Sequence, residues 1–209
     1  MKILIIGDSF AADWSIKYKQ ADKGWPNLLA DYYEVDNYAQ AGVGEYKILK
    51  QIDKIKNLLL YNLVIVSHTS TYRIHTKKHP IHSNDILHKD SDLIFKDIEY
   101  HYKKKTLSTF LNKSLKTAYN YFLYHFDNEY QETIYKLIRQ EINNKLSKIP
   151  IITLMNRVHI VDNTYEQEKN IVILKDIQKK YSGTINHLSP TGNDLAFKEV
   201  NNMILSITN

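Results

Sequence analysis

The sequence predicts an α/β fold built on a mostly parallel sheet, and three observations carry that expectation. The chain opens on a short apolar, branched run, Met1-Lys2-Ile3-Leu4-Ile5-Ile6, which ends in a turn at Gly7. Runs of the same kind return at Leu63-Val64-Ile65-Val66 and at Pro150-Ile151-Ile152-Thr153-Leu154-Met155. Between the runs, apolar residues recur every three or four positions, as at Ile48, Ile52, Ile55 and Leu59. Short apolar runs bounded by turn residues read as strands buried on both faces, and the three-four spacing reads as amphipathic helix. Strands alternating with helices close into a parallel sheet with helices on its faces.

Taken in order, Met1 to Ile6 is the first strand. Gly24 to Ala30 reads as a helix start, because Pro26 suits a first turn and Trp25, Leu28 and Leu29 share a face. Tyr33 to Tyr38 reads as a second strand centred on Val35, and Glu45 to Leu60 as a helix. Leu63 to Val66 is the third strand. Residues 74–149 exceed what a minimal α/β unit needs. His75, His79, His82 and His88 fall there in one polar stretch, which reads as a solvated loop because their spacing matches no familiar ligand pattern. Helical stripes follow at Leu107, Phe110, Leu111 and Leu115, then at Tyr130, Ile134, Ile138, Ile142 and Leu146. Asp127 stands as the N-cap of the second stripe. This region reads as a helical insertion over the strand ends. Its tyrosines (Tyr119, Tyr121, Tyr124, Tyr130, Tyr135) fit core or partner contacts better than sugar stacking. Ile151 to Met155 is the fourth strand. Ile171 to Leu174 is open between strand and helix, and Asp194 to Ile207 closes the chain as a helix.

Composition narrows the classes. A chain of 209 residues with 43% apolar content suits one soluble globular domain over residues 1–209. It has no cysteine, which excludes a disulfide framework and thiol catalysis. No segment approaches the length of a membrane span, and Met1 leads straight into a strand, so no membrane insertion and a cytoplasmic location are expected. Lysine and arginine outnumber aspartate and glutamate by 28 − 23 = 5. That mild positive balance favours anionic substrates, but the lysines are dispersed and predict no nucleic-acid partner. Neither Gly-x-Gly-x-x-Gly nor Gly-x-x-x-x-Gly-Lys-Ser/Thr occurs, which argues against a nucleotide-dependent enzyme.

Chemistry concentrates at two places. Gly7-Asp8-Ser9 follows the first strand, where open α/β sheets bind ligands. Asn186-His187-Leu188-Ser189-Pro190 is a loop-like stretch with one histidine just before the last helix. A serine hydroxyl needs a base, and a histidine is the usual one. Gly-Asp-Ser at the start and this late histidine resemble the SGNH (GDSL-type) hydrolases. The resemblance implies a three-layer, flavodoxin-like sandwich and esterase, lipase or carbohydrate-deacetylase chemistry without metal or cofactor. It covers residues 1–73 and 150–209. Ser9 is then the nucleophile and His187 the general base. Asn37 to Gly44 resembles the second motif, placing Gly42 in the oxyanion hole beside the Ser9 N–H; a plain turn glycine is the competing reading. The third motif, Gly-x-Asn-Asp, falls on Ser67-His68-Thr69-Ser70, where the asparagine is absent; Thr69 or His68 is the substitute donor. The final motif, Asp-x-x-His, ends on His187, but Thr184 stands where the aspartate belongs, with Asp162 and Asp176 as substitutes. Asp8 and Arg73 are the expected substrate contacts, and His159 is a second candidate base. The implied partner is a small-molecule or carbohydrate ester, with an O-acyltransferase or a non-catalytic binding protein as alternatives. The helical insertion offers a face for a second copy of the chain.

Overall fold

The computed structural model describes residues 1–15, 23–104, 106, 111–155 and 169–208. Five strands form one sheet: β1 (Lys2–Gly7), β2 (Glu34–Asn37), β3 (Leu63–Ser67), β4 (Ile151–Met155) and β5 (Ile171–Ile173), in the order β2-β1-β3-β4-β5. All four pairings are parallel, with Ile3 opposite Leu63 and Gly7 opposite Ser67 across the central pair. The helices are α1 (Trp25–Leu29), α2 (Glu45–Ile52), α3 (Phe95–Lys103), α4 (Lys113–Tyr124), α5 (Asn128–Leu146), α6 (Lys175–Lys180) and α7 (Pro190–Thr208). A short extended segment, β6 (Ser182–Ile185), lies outside the sheet and bridges to Leu188. Among the described residues no helix is long and apolar enough to cross a membrane.

The two-residue period of a strand builds two cores from one run. Ile3 and Ile5 face one side of the sheet with Leu63, Ile65, Ile152 and Leu154, under Trp25 and Leu29 of α1 and Ala196, Val200 and Ile204 of α7. Leu4 and Ile6 face the other with Val64 and Val66, under Ile48 and Ile52 of α2 and Ile142 and Leu146 of α5. Helices on both faces make the three-layer α/β sandwich that the sequence predicts.

Three expectations are revised, and one point left open, residues 171–173, is settled. The helix starting at Glu45 stops at Ile52, and Leu59 is 70% exposed, so that residue never joins the buried stripe. Residues 171–173 are a strand, paired to β4. The span 74–149 is not one insertion: α5 packs on α2 and on the sheet as the crossover between β3 and β4. Only the part before it is extra. There α3 and α4 share a small core of Ile98, Leu115, Ala118 and Phe122. Asp127 caps α5, accepting the Tyr130 N–H at 2.9 Å. The buried face of α5 runs through Tyr135, Arg139, Ile142 and Leu146 rather than through Tyr130. A strict four-residue step overshoots each turn by about 40°, so such a stripe drifts off the buried side. Leu107, Phe110, His159 and Asp162 lie outside the described residues.

Candidate active site

The turn after β1 is held from both sides. Gly7 has φ +146°, and a Cβ there would sit 2.5 Å from both Cβ and O of Ser67 on the neighbouring strand. Only glycine allows that approach. Gln51 of α2 accepts the Gly7 N–H at 2.7 Å and donates back to its carbonyl at 3.0 Å. Asp8 turns inward: its Oδ1 accepts the Phe10 N–H and the Ser67 hydroxyl, both at 3.0 Å. It is a brace for the turn and does not line the cleft beside Ser9.

His187 arrives from the loop between β6 and α7. Asn186 and His187 both have left-handed backbones, φ 51° and 60°. Such conformations cost about 1–3 kcal/mol each and persist where the surroundings enforce them. The enforcement is visible. Asn186 is buried, and its amide donates to Ser9 O at 3.2 Å and Ala12 O at 2.9 Å. Asn193 of α7 donates to the carbonyls of Ile185 and Leu188 and accepts the Trp25 N–H. Trp14 Nε1 donates to Ser9 O at 2.9 Å, so two side chains hold the serine's own carbonyl. Ser9 Oγ and His187 Nε2 consequently lie 2.7 Å apart across 178 positions of sequence. The His187 ring is half-buried against Phe10, centroids 4.5 Å apart, and near the edge of Trp14.

Gly42 reaches the same cleft. Its φ is +78°, and a Cβ would lie 2.1 Å from Ser91 Oγ. The Gly42 carbonyl accepts from the Arg73 guanidinium at 2.8 Å and from the Asp92 N–H at 2.9 Å. Arg73 thus anchors the Gly42 turn while also lining the cleft. His68 and Thr69 do not reach it. Both are buried; His68 Nδ1 bonds Glu45, and the Thr69 N–H donates to Glu45 Oε2 at 3.3 Å. The Thr69 hydroxyl has no hydrogen-bond partner among the described residues. Thr184 and Asp176 are exposed and stand apart from the cleft, whose acids are Asp85, Asp92 and Asp97.

The histidine stretch is not a solvated loop. His79 is 1% exposed, and His79, His82 and His88 line the cleft with Ser9 and His187, about 390 Å³ in all. Asp97 Oδ2 lies 3.0 Å from His82 Nε2 and 3.5 Å from His79 Nε2. Burial is the main force lowering the His79 pKa, to about 4, with His82 adding to it. The Asp97 hydrogen bond raises that of His82. Burial alone would raise the Asp97 carboxyl, but the His82 hydrogen bond and the neighbouring imidazoles hold it below its usual value. His79, His82 and Asp97 have the residue types and separations of a metal site. The hydrogen bonds of His79 work against that use. Its Nδ1 accepts the N–H groups of Ile81 and His82 at 3.2 Å each, which leaves the ring proton on Nε2, the atom facing Asp97.

Sequence reasoning missed Asn186, Ser91 and the histidine wall. Asn186 had a signal: asparagine is, after glycine, the residue most at ease in a left-handed turn. Ser91 had none, since only the fold brings residue 91 against Gly42.

No family model and no curated protein matches the chain. Solved structures do resemble it. A protein assigned to the lipolytic G-D-S-L family from Desulfitobacterium hafniense superposes with TM-score 0.50 at 14% identity, over 97% of this chain and 98% of that one. An acetyl xylan esterase, AlAXEase, gives 0.51 at 11%, over 97% and 98%. The psychrotrophic esterase EstA from a Pseudoalteromonas species, in a form inhibited by monoethylphosphonate, gives 0.52 at 12%, over 100% and 99%. Sequence identity is low throughout, yet the superpositions run from end to end, and the chain carries the fold of the GDSL-type, or SGNH, hydrolases.

Proposed function

We propose that this protein is a serine-dependent esterase that removes an O-acyl group, with Ser9 as nucleophile and His187 as base, and that its substrate is an acylated carbohydrate. The observation that carries the reading is the 2.7 Å contact between Ser9 Oγ and His187 Nε2. Hydrogen-bond contact between hydroxyl and imidazole is the geometry an activated serine needs. Ser9 Oγ attacks the acyl carbon and its proton passes to His187 Nε2. The negative charge that develops on the carbonyl oxygen is met by the N–H groups of Ser9 and Gly42. Collapse breaks the ester C–O bond, and the leaving alcohol takes the proton from His187. Water then repeats the sequence on the acyl-enzyme and releases the acid.

The third oxyanion donor of the motif is missing, and losing one such donor costs about 2.7–4 kcal/mol of transition-state stabilisation. The expected activity is therefore slow. A fluorophosphonate probe should label the wild type and neither Ser9→Ala nor His187→Ala, and p-nitrophenyl acetate hydrolysis should vanish in both variants. Labelling that persists in Ser9→Ala, or hydrolysis undiminished in His187→Ala, removes the assignment.

A further inference from the structure

A second cleft, about 320 Å³, opens beside the Ser9 cleft and shares Arg73 and Asp92 with it as a common wall. Its other walls come from the start of α2, the loop after β3, and α4 and α5. The floor is apolar, from Ile74, Ile134 and Ile138. Three tyrosines stand at its rim with much of their surface in solvent: Tyr46 and Tyr121 at 40% and Tyr130 at 64%. Tyr46 is steadied by the His75 ring, edge-on at 4.8 Å.

The polar groups of this cleft divide sharply. Its charges are engaged within the protein. Asp92 is paired with Lys47 at 2.8 Å and accepts the Gly44 and Thr76 N–H groups, and Arg73 holds the Gly42 carbonyl. Most of its neutral groups are unspent, the exceptions being the buried Tyr135 hydroxyl, which donates to the Thr69 carbonyl at 3.2 Å, and the Gln131 amide. The hydroxyls of Tyr46, Tyr121, Tyr130 and Ser70 make no hydrogen bond to a described residue. Gln131 uses its amide N–H groups on the carbonyls of Thr71 and Arg73, which leaves its Oε1 as an acceptor. An acyl-chain pocket would not carry this ring of hydroxyls, and an anion site would need a cation not already committed. Aromatic faces edged by neutral donors and acceptors suit a ring with apolar C–H faces and hydroxyls around its rim.

We infer that this cleft is a glycosyl subsite, which holds an uncharged sugar unit next to the acylated one in the Ser9 cleft. The substrate is then an acylated oligosaccharide rather than an ester of a single sugar. The binding claim stands on the cleft alone; only the statement that the neighbouring unit carries an ester rests on the proposed function.

The test separates the two. Saturation-transfer-difference NMR is run with xylotriose, cellotriose and maltotriose, none of them acylated, on wild type, Ser9→Ala and a Tyr121→Ala/Tyr130→Ala double variant. Both tyrosines are exposed, so the double variant keeps its core. At least one trisaccharide should give transfer to its ring C–H protons in wild type and Ser9→Ala, with the affinity about tenfold weaker in the double variant. With acetylated forms of the trisaccharide that binds, the double variant should raise KM about tenfold and leave p-nitrophenyl acetate turnover unchanged. No transfer to any of the three trisaccharides, or equal transfer in the double variant, overturns the subsite. Binding that is lost in the double variant, in a protein that hydrolyses neither ester, leaves the subsite standing and removes the esterase.

Discussion

Replacing Gly42 with alanine tests the architecture of the cleft most sharply, because two separable costs meet at one atom. An L-residue at φ +78° pays for a left-handed backbone, about 1–2 kcal/mol. The new methyl would also stand 2.1 Å from Ser91 Oγ and 2.8 Å from Ser91 Cβ, far inside van der Waals contact. Overpacking of that kind costs about 1–3 kcal/mol. The sum is roughly 2–5 kcal/mol of folding stability. The Ser91 side chain is the obstacle, so Ser91→Gly should restore the steric part and leave the backbone part. Urea unfolding followed by the fluorescence of Trp14 and Trp25 measures all four corners of this cycle. A Gly42→Ala protein within about 0.5 kcal/mol of wild type would refute the argument, as would costs that simply add in the double variant.

The pH dependence of stability should expose the histidine wall. His79 has a folded pKa of about 4 against 6.5 unfolded, so the unfolded chain binds a proton that the folded one refuses, and stability falls as pH drops across that window. His79→Asn keeps an acceptor for the Ile81 and His82 N–H groups but cannot titrate; its urea midpoint should fall less between pH 7 and pH 4. His82 acts in the opposite sense. Its raised pKa contributes stability that is fully present below the unfolded value and is lost as pH rises through the folded one, so His82→Gln should steepen the acid loss. Parallel profiles for these variants and wild type would count against the wall. Asn186→Ala strands the buried Ala12 carbonyl and strains its own backbone, and should cost about 2–5 kcal/mol, with Asn186→Gly recovering about 1–2 of that. Asp127→Ala should cost about 0.5–2 kcal/mol through loss of the α5 cap, again read by urea unfolding.

The parts of the molecule that are local in sequence were legible. The β1 run and its glycine turn, the Asp127 cap and Pro26 in the first turn of α1 follow from backbone and side-chain preferences a few residues wide. Ser9 and His187 were legible as a pair because the motif encodes which elements end at the same sheet edge. What failed was anything decided by packing across the chain. His79 and His82 stand in a stretch of polar composition, and only the folding of residues 79–97 over the cleft buries the first and half-buries the second. α5 looked like added sequence because nothing in its own pattern says that Ile142 and Leu146 complete the second face of the sheet. His68 and Thr69 sit at the expected strand end, but Glu45, 23 positions before His68, turns both away from the cleft.

The grip of Asn186 and Trp14 on the Ser9 carbonyl also bears on when the serine becomes reactive. The bond from Asn186 and the Ser9–His187 contact close loops spanning 177 and 178 positions. They require α7 to have docked, because Asn193 fixes the carbonyls on either side of the His187 turn and clasps Trp25 at the same time. Under the proposed mechanism, a chain still folding carries an ordinary serine hydroxyl on its first turn, not yet activated toward esters or phosphonates. That mechanism ties reactivity to this long-range contact, so the rate at which a phosphonate captures Ser9 after dilution from denaturant should follow docking of α7 rather than formation of the sheet.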